Sequence, residues 1–177
     1  AQVKHFVYMS AIGVGPNPKY PYLYTKWLGE QEVMKSNLNY TIFRPSVQFG
    51  PGDEYFNLLA GIVKALPLVP IPGSGQTMFH PVSVEDVSHC VARSLGNQAF
   101  MGQIIELGGP KHLTYNDLVD LVVVTLKTKR LRLHIPIWVM GLLAGAMNLV
   151  MPHPPLTPEL IDMLNVNNVT DLNSMKE

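Results

Sequence analysis

Ser10, Tyr22 and Lys26 are the residues whose types and spacing suit them to proton transfer. The serine follows a short β-forming run, and the tyrosine lies in Pro21-Tyr22-Leu23-Tyr24-Thr25-Lys26. Proline is favoured at a first helical position, and residues four apart in a helix share a face, so Tyr22 and Lys26 are expected one turn apart. A phenol with a pKa of about 10 is a poor proton carrier at neutral pH. A nearby ammonium stabilises the phenolate and lowers that value. A serine hydroxyl both donates and accepts hydrogen bonds, so Ser10 can hold a substrate oxygen against the tyrosine. One Tyr-x-x-x-Lys arises readily by chance in a chain with this many of both residues, so context must decide.

The elements that must position these three alternate in type. Val3 to Met9 is rich in β-formers and is expected as a strand buried largely on both faces. A glycine and proline loop, 11–21, leads to a helix over 22–35, with Leu23, Trp27 and Met34 as its buried stripe and Gly29 permitting close packing. Tyr40 to Arg44 reads as the next strand, stopped by Pro45. Gly50-Pro51-Gly52-Asp53 precedes a helix over 54–66, and 67–81 reads as irregular, with several prolines and Gly73-Ser74-Gly75.

Ser83 with Asp86, and Thr114 with Asp117, have the spacing of capping boxes that open helices to about Leu95 and Lys127. Between those helices lies a strand over 103–107, and 130–135 reads as a half-exposed strand. Pro136 to Met151 is the most apolar stretch, shorter than the roughly 20 residues a bilayer span needs. Burial is the expectation for it, with an interfacial helix as the other reading. Thr157-Pro158-Glu159 has the signature of a last short helix. The alternation predicts an α/β fold with the first two strands parallel.

Composition excludes several classes. In 177 residues, thirteen basic side chains balance thirteen acidic ones, so nothing draws in nucleic acid. A hydrophobic content of 47% argues for a folded chain. The six histidines show no metal-ligand spacing, so no metal is expected. Cys90 stands alone within an apolar helix and reads as packing, and with no basic-then-apolar leader the setting is expected to be reducing and cytoplasmic. Asn39-Tyr40-Thr41 and Asn168-Val169-Thr170 match the glycosylation pattern and read as chance in that compartment. The chain starts within two residues of a strand and stops without a turn signal, as a piece of something longer would. Neither Gly13-Val14-Gly15 nor Gly73-Ser74-Gly75 completes a dinucleotide fingerprint.

Ser10 at a strand end, Tyr22-x-x-Thr25-Lys26, Arg44-Pro45-Ser46-Val47, Phe49-Gly50-Pro51-Gly52-Asp53, His80-Pro81-Val82-x-Val84-x-Asp86-Val87 and Glu106-Leu107-Gly108-Gly109-Pro110 occur in that order. The ordered set resembles the second half of the NAD(P)-dependent epimerase/dehydratase branch of the short-chain dehydrogenases/reductases. Within it, the set is similar to the atypical members that include the accessory nucleotide-binding subunit of respiratory complex I and its bacterial relatives. The resemblance implies a Rossmann-like parallel sheet, second half only, with residues 1–50 completing the nucleotide-binding domain. Residues 51–177 would return strands to that sheet and form a small C-terminal substrate region. It also implies Tyr22 as general acid/base, Lys26 as its partner and a ribose ligand, Ser10 as the orienter of substrate, and Pro45, Ser46 and Val47 as the turn against the nicotinamide.

The implied cofactor is NADP or NAD, with the preference set by residues outside the chain. Only eleven residues separate Ser10 from Tyr22, whereas nucleotide-sugar enzymes of the branch commonly carry a longer loop there, so a sugar nucleotide is the less expected small-molecule substrate. Two functions fit: hydride transfer at a carbonyl or alcohol carbon, or a non-catalytic nucleotide-binding subunit or assembly factor. The second brings a respiratory-complex partner or a membrane surface. A nucleotide-sensing transcriptional regulator lacks a basic recognition helix.

Overall fold

A computed structural model of the chain describes residues 3–150, 161, 164 and 166–172. The elements run β1 (Phe6–Met9), α1 (Pro21–Lys35), β2 (Tyr40–Pro45), β3 (Gln48–Phe49), α2 (Tyr55–Ala65), β4 (Leu68–Pro72) and β5 (Met78–Phe79). They continue with β6 (Val82–Ser83), α3 (Val84–Ser94), a 3-10 turn (Gln98–Phe100), β7 (Gln103–Leu107), β8 (Leu113–Thr114), α4 (Tyr115–Thr125), β9 (Leu131–Ile135) and α5 (Ile137–Val150). The helix expected at Thr157 lies outside the described residues. The chain forms two compact units, one of Ala1–Pro51, His80–His112 and Asn168–Glu177, the other of Gly52–Phe79 and Leu113–Asn167.

The first unit is built on a parallel sheet in the order β1-β2-β7, with Met9 beside Phe43 and Arg44 beside Glu106. Side chains alternate between the faces of a strand, and the two faces are covered by different helices. Val7, Met9, Phe43, Ile105 and Leu107 pack with Val82, Val87 and Cys90 of the α3 segment. Tyr8 and Arg44, of the opposite parity, meet α1. Cys90 therefore packs, and burial raises its thiol pKa.

β1 is only partly buried, against the expectation of burial on both faces, because it is an edge of this sheet. β2 runs through Pro45, one residue past the expected stop, since proline is tolerated at a strand end. Ser83 caps α3 through the Glu85 amide, without the reciprocal arm from Asp86 that the spacing suggested, whereas Thr114 and Asp117 form the full box.

In the second unit, β4 and β9 pair in parallel, which corrects the irregular reading of 67–81. The prolines that obscured β4 are placed where they do no harm. Leu131 N donates to Pro67 O and Gly73 N to Ile135 O, which fixes the ladder's phase. The nitrogens of Pro70 and Pro72 then point away from β9, the position an edge strand tolerates. Val69 and Ile71 are fully buried, α2 packs on α4, and the two helices bury Leu59 and Val63, and Leu118 and Val119, respectively. Burial of the apolar stretch after Pro136 holds for half of α5 only. Met140 and Ala144 are buried, while Trp138, Leu142 and Leu143 face solvent.

Candidate active site

β1 and α1 bring the strand-end serine and the helix N-terminus to one place. The β1–β2 pairing continues past Met9, with Ser10 N donating to Phe43 O at 2.7 Å and Ile12 N to Pro45 O at 3.1 Å. Ser10 is buried, and its hydroxyl has no hydrogen-bond partner among the described residues. A buried hydroxyl left unpaired is costly, and this one lies at the end of a parallel strand, where ligands of open α/β sheets bind.

Pro21 starts α1 in place of a side-chain cap. One turn in, Lys26 Nζ donates to Met9 O at 2.9 Å, the carbonyl just before Ser10. The ammonium lies 5.9 Å from the centroid of the Tyr22 ring and 5.7 Å from that of Tyr8, within the reach of a cation–π attraction. Ser10, Tyr22 and Lys26 thus gather around one strand end, although the Tyr22 hydroxyl does not bond Ser10. Tyr22 is 47% exposed. Its phenol pKa is raised, by burial first and by Tyr8 second, which corrects the expectation of a value lowered by Lys26. The ammonium faces the ring rather than bonding its oxygen, so desolvation wins.

Tyr8 is a neighbour that the motif does not include. Its ring fits because Gly29 has no side chain; a Cβ there would fall on the Tyr8 hydroxyl. One residue along α1, Glu30 is completely buried and takes two hydrogen bonds from Arg44, Nε to Oε1 at 2.8 Å and Nη2 to Oε2 at 2.6 Å. Arg44 Nη1 also lies 3.8 Å from Glu106 Oε1, and Glu106 Oε2 accepts from Thr170 at 2.6 Å. This bidentate pair ties α1 to β2 and so holds the helix that carries Tyr22 and Lys26.

Pro45 ends β2, Ser46 and Val47 form the turn that follows, and the polar groups of that turn are already engaged. Val47 N donates to Asn168 Oδ1 at 3.0 Å, and Ser46 Oγ donates to Asn168 O at 2.9 Å and touches its side-chain oxygen as well. Asn168 Nδ2 reaches Ile12 O at 3.4 Å. Ser46 Oγ also accepts from His80 N at 3.3 Å. Asn168 thus braces both loops that flank Ser10, and its first appearance as part of a glycosylation pattern gave no sign of that. His80 is fully buried and set edge-on to His112 at 4.3 Å, and among the described residues its ring nitrogens have no hydrogen bond beyond an approach to the Gly109 backbone. Its pKa is lowered by burial and then by His112. No cluster among the described residues could hold a metal ion.

No family model matches the chain. In sequence it is similar to the mitochondrial NADH dehydrogenase (ubiquinone) 1 alpha subcomplex subunit 9 of Arabidopsis thaliana, 24% identical over 95% of the chain and 43% of that protein. It is likewise similar to the mitochondrial NADH-ubiquinone oxidoreductase 40 kDa subunit of Neurospora crassa, 26% identical over 90% of the chain and 42% of that protein. The chain therefore spans less than half the length of these relatives. Among solved structures, the fold is shared with UDP-glucose 4-epimerase of Thermotoga maritima, at TM-score 0.62 and 21% identity over 76% of this chain and 51% of that one. It is also shared with dTDP-glucose 4,6-dehydratase of Bacillus anthracis in complex with NAD, at TM-score 0.60 and 16% identity over 73% of this chain and 49% of that one. The fold is thus the Rossmann-like one of these two enzymes, and the sequence resembles subunits of mitochondrial NADH dehydrogenase (ubiquinone).

Proposed function

We propose that this chain is the second half of an NAD(P)-dependent oxidoreductase of the short-chain dehydrogenase/reductase type, acting at a carbonyl or alcohol carbon of a small molecule. Residues 1–50 would complete its nucleotide-binding domain and residues 51–177 would carry the substrate region. The glycine-rich loop that holds the pyrophosphate would come from the rest of the protein. The carrying observation is the strand end at which Ser10 presents a buried, unpaired hydroxyl beside the carbonyl that anchors Lys26. Bound NADH or NADPH would supply the hydride for carbonyl reduction, and the oxidised nucleotide would accept it from an alcohol.

Ser10 would hydrogen-bond the substrate oxygen, a reading its unpaired hydroxyl supports. Tyr22, whose raised pKa keeps its proton at neutral pH, gives that proton to the oxygen as the carbonyl carbon is reduced, and Lys26 stabilises the phenolate left behind. Lys26 would also hydrogen-bond the nicotinamide ribose. Pro45, Ser46 and Val47 serve as a wall rather than as donors, since Asn168 already holds their polar groups. In the full-length protein Tyr22→Phe is expected to lower turnover by about 10²-fold to 10⁴-fold with cofactor affinity nearly intact. The assay is a carbonyl-substrate screen read at the nicotinamide absorbance. Unchanged turnover in Tyr22→Phe would remove the tyrosine from its assigned role.

The names of the relatives favour a second reading, a nucleotide-holding accessory subunit or assembly factor of a respiratory complex of the complex I type. On that reading the partner is the complex, the setting is at its membrane, and no substrate is turned over. Lys26→Met weakens nucleotide retention under both readings, but only the first loses a reaction on Tyr22→Phe.

A further inference from the structure

We propose that the outer face of α5, with the basic segment before β9, is a docking surface for an anionic lipid bilayer, the helix lying in the interface. It stands whether the nucleotide site is catalytic or structural. Residues 137–150 contain no charged side chain. The inner face is settled by Met140 and Ala144, both buried, and by Ile137, which packs on Gly73. Trp138 is 70% and Leu142 66% exposed, one turn apart, and Leu143 beside them is exposed as well. A surface helix normally turns polar residues outward, so an apolar outer face marks an interaction site.

β9 precedes α5 by one proline and adds Leu131, 70% exposed, with Leu133 and its neighbour Leu68 also exposed. A tryptophan at the start of such a helix suits the headgroup level. No helix among the described residues is long and apolar enough to cross a membrane.

Charge selects lipid as the occupant. Lys127, Lys129, Arg130 and Arg132 crowd the approach to β9. Arg130 donates to the carbonyls of Val63 and Lys64, which ties this segment to the end of α2, where Lys64 adds a cation. Arg132 pairs with Asp120. Lys64, Lys127 and Lys129 are exposed and hold no ion pair among the described residues. An apolar, charge-free helix face in the same unit as a cluster of exposed lysines unpaired among the described residues combines the two features that bind anionic membranes.

The test is flotation of the full-length protein with vesicles of pure phosphatidylcholine and of mixed phosphatidylcholine and phosphatidylserine. The expected result is binding to the mixed vesicles, weaker binding to the pure ones, and loss with added salt. Leu142→Glu should lower binding to both by about tenfold or more, since it removes an apolar anchor. The Lys127→Glu, Lys129→Glu pair should lower binding to the mixed vesicles alone, by about fivefold per charge removed. Far-UV circular dichroism and an unchanged urea midpoint establish that each variant is folded. Absent binding to the mixed vesicles, or equal binding by folded variants, overturns the proposal. So does a concentration-dependent dimer abolished by Leu142→Glu without any vesicle binding, which would make a second copy the occupant.

Discussion

Removing Arg44 should damage the protein more than removing the charge of its partner, and the asymmetry can be worked from the structure. Glu30 has no exposure and takes both of its strong hydrogen bonds from Arg44. Arg44→Met leaves that carboxylate buried without its cation, and breaking a buried pair from one side costs about 3–5 kcal/mol. Glu30→Gln is milder on two counts. The amide keeps an oxygen for the guanidinium, and Arg44, 23% exposed at its side chain, retains Glu106 at 3.8 Å. We expect about 1–3 kcal/mol for that change. Glu30→Leu with Arg44→Met should recover much of the loss, since an apolar replacement of a buried pair is often neutral. Urea unfolding followed by far-UV circular dichroism at pH 7 gives all three values. If the two single changes cost the same and the double change costs more than Arg44→Met alone, the pair is not the brace we describe.

Gly29→Ala would ordinarily gain about 1 kcal/mol in a helix. Here it should cost about 1–3 kcal/mol, because the new methyl group falls on Tyr8; the gain should return when Tyr8→Val is added, as thermal unfolding can show. Asn168→Ala strips partners from Val47 N and Ser46 Oγ and should cost about 1–3 kcal/mol, whereas Asn168→Asp keeps the acceptor and should recover most of it in the same assay. His80 is held neutral by burial and His112, with its pKa below the ordinary 6.5. Between that lowered value and 6.5 the unfolded chain binds more protons, so stability should fall as pH drops below 6.5, by at most about 1.4 kcal/mol per pH unit. His80→Gln should flatten that slope in urea titrations between pH 7.5 and 5 (on the order of the histidine range); an unchanged slope would place the titrating group elsewhere.

What could be read from sequence was local. Proline at a first helical position and the four-residue spacing of Tyr22 and Lys26 placed both on α1, and the β-forming run placed Ser10 at the end of β1, because these depend on the chain within a turn or two. Glu30 was missed because Gly29-Glu30-Gln31-Glu32 reads as a solvated helix face; its partner lies on β2, and only the parallel register brings the two together. Asn168 is far from Ser46 in sequence, and nothing in Asn-Val-Thr records that its side chain will brace a turn. β4 was hidden by its prolines, whose harmlessness depends on which way their nitrogens point relative to β9. α5 is apolar all round, so its periodicity could not distinguish the face on Gly73 from the face in water. The direction of the Tyr22 pKa depends on where the Lys26 ammonium settles, over the ring and against Met9 O, which spacing along a helix does not determine.

The claim that the end of β1 is where a nicotinamide nucleotide sits is tested most directly by calorimetric titration of the full-length protein, wild type and Lys26→Met, with NADH and NADPH. A hydrogen bond from a charged donor is worth about 1.5–3 kcal/mol, so loss of Lys26 should weaken the bound nucleotide by about tenfold or more in a variant that far-UV circular dichroism shows to be folded. Equal affinity in a folded Lys26→Met variant, or no binding of either nucleotide to the wild type, would contradict the account.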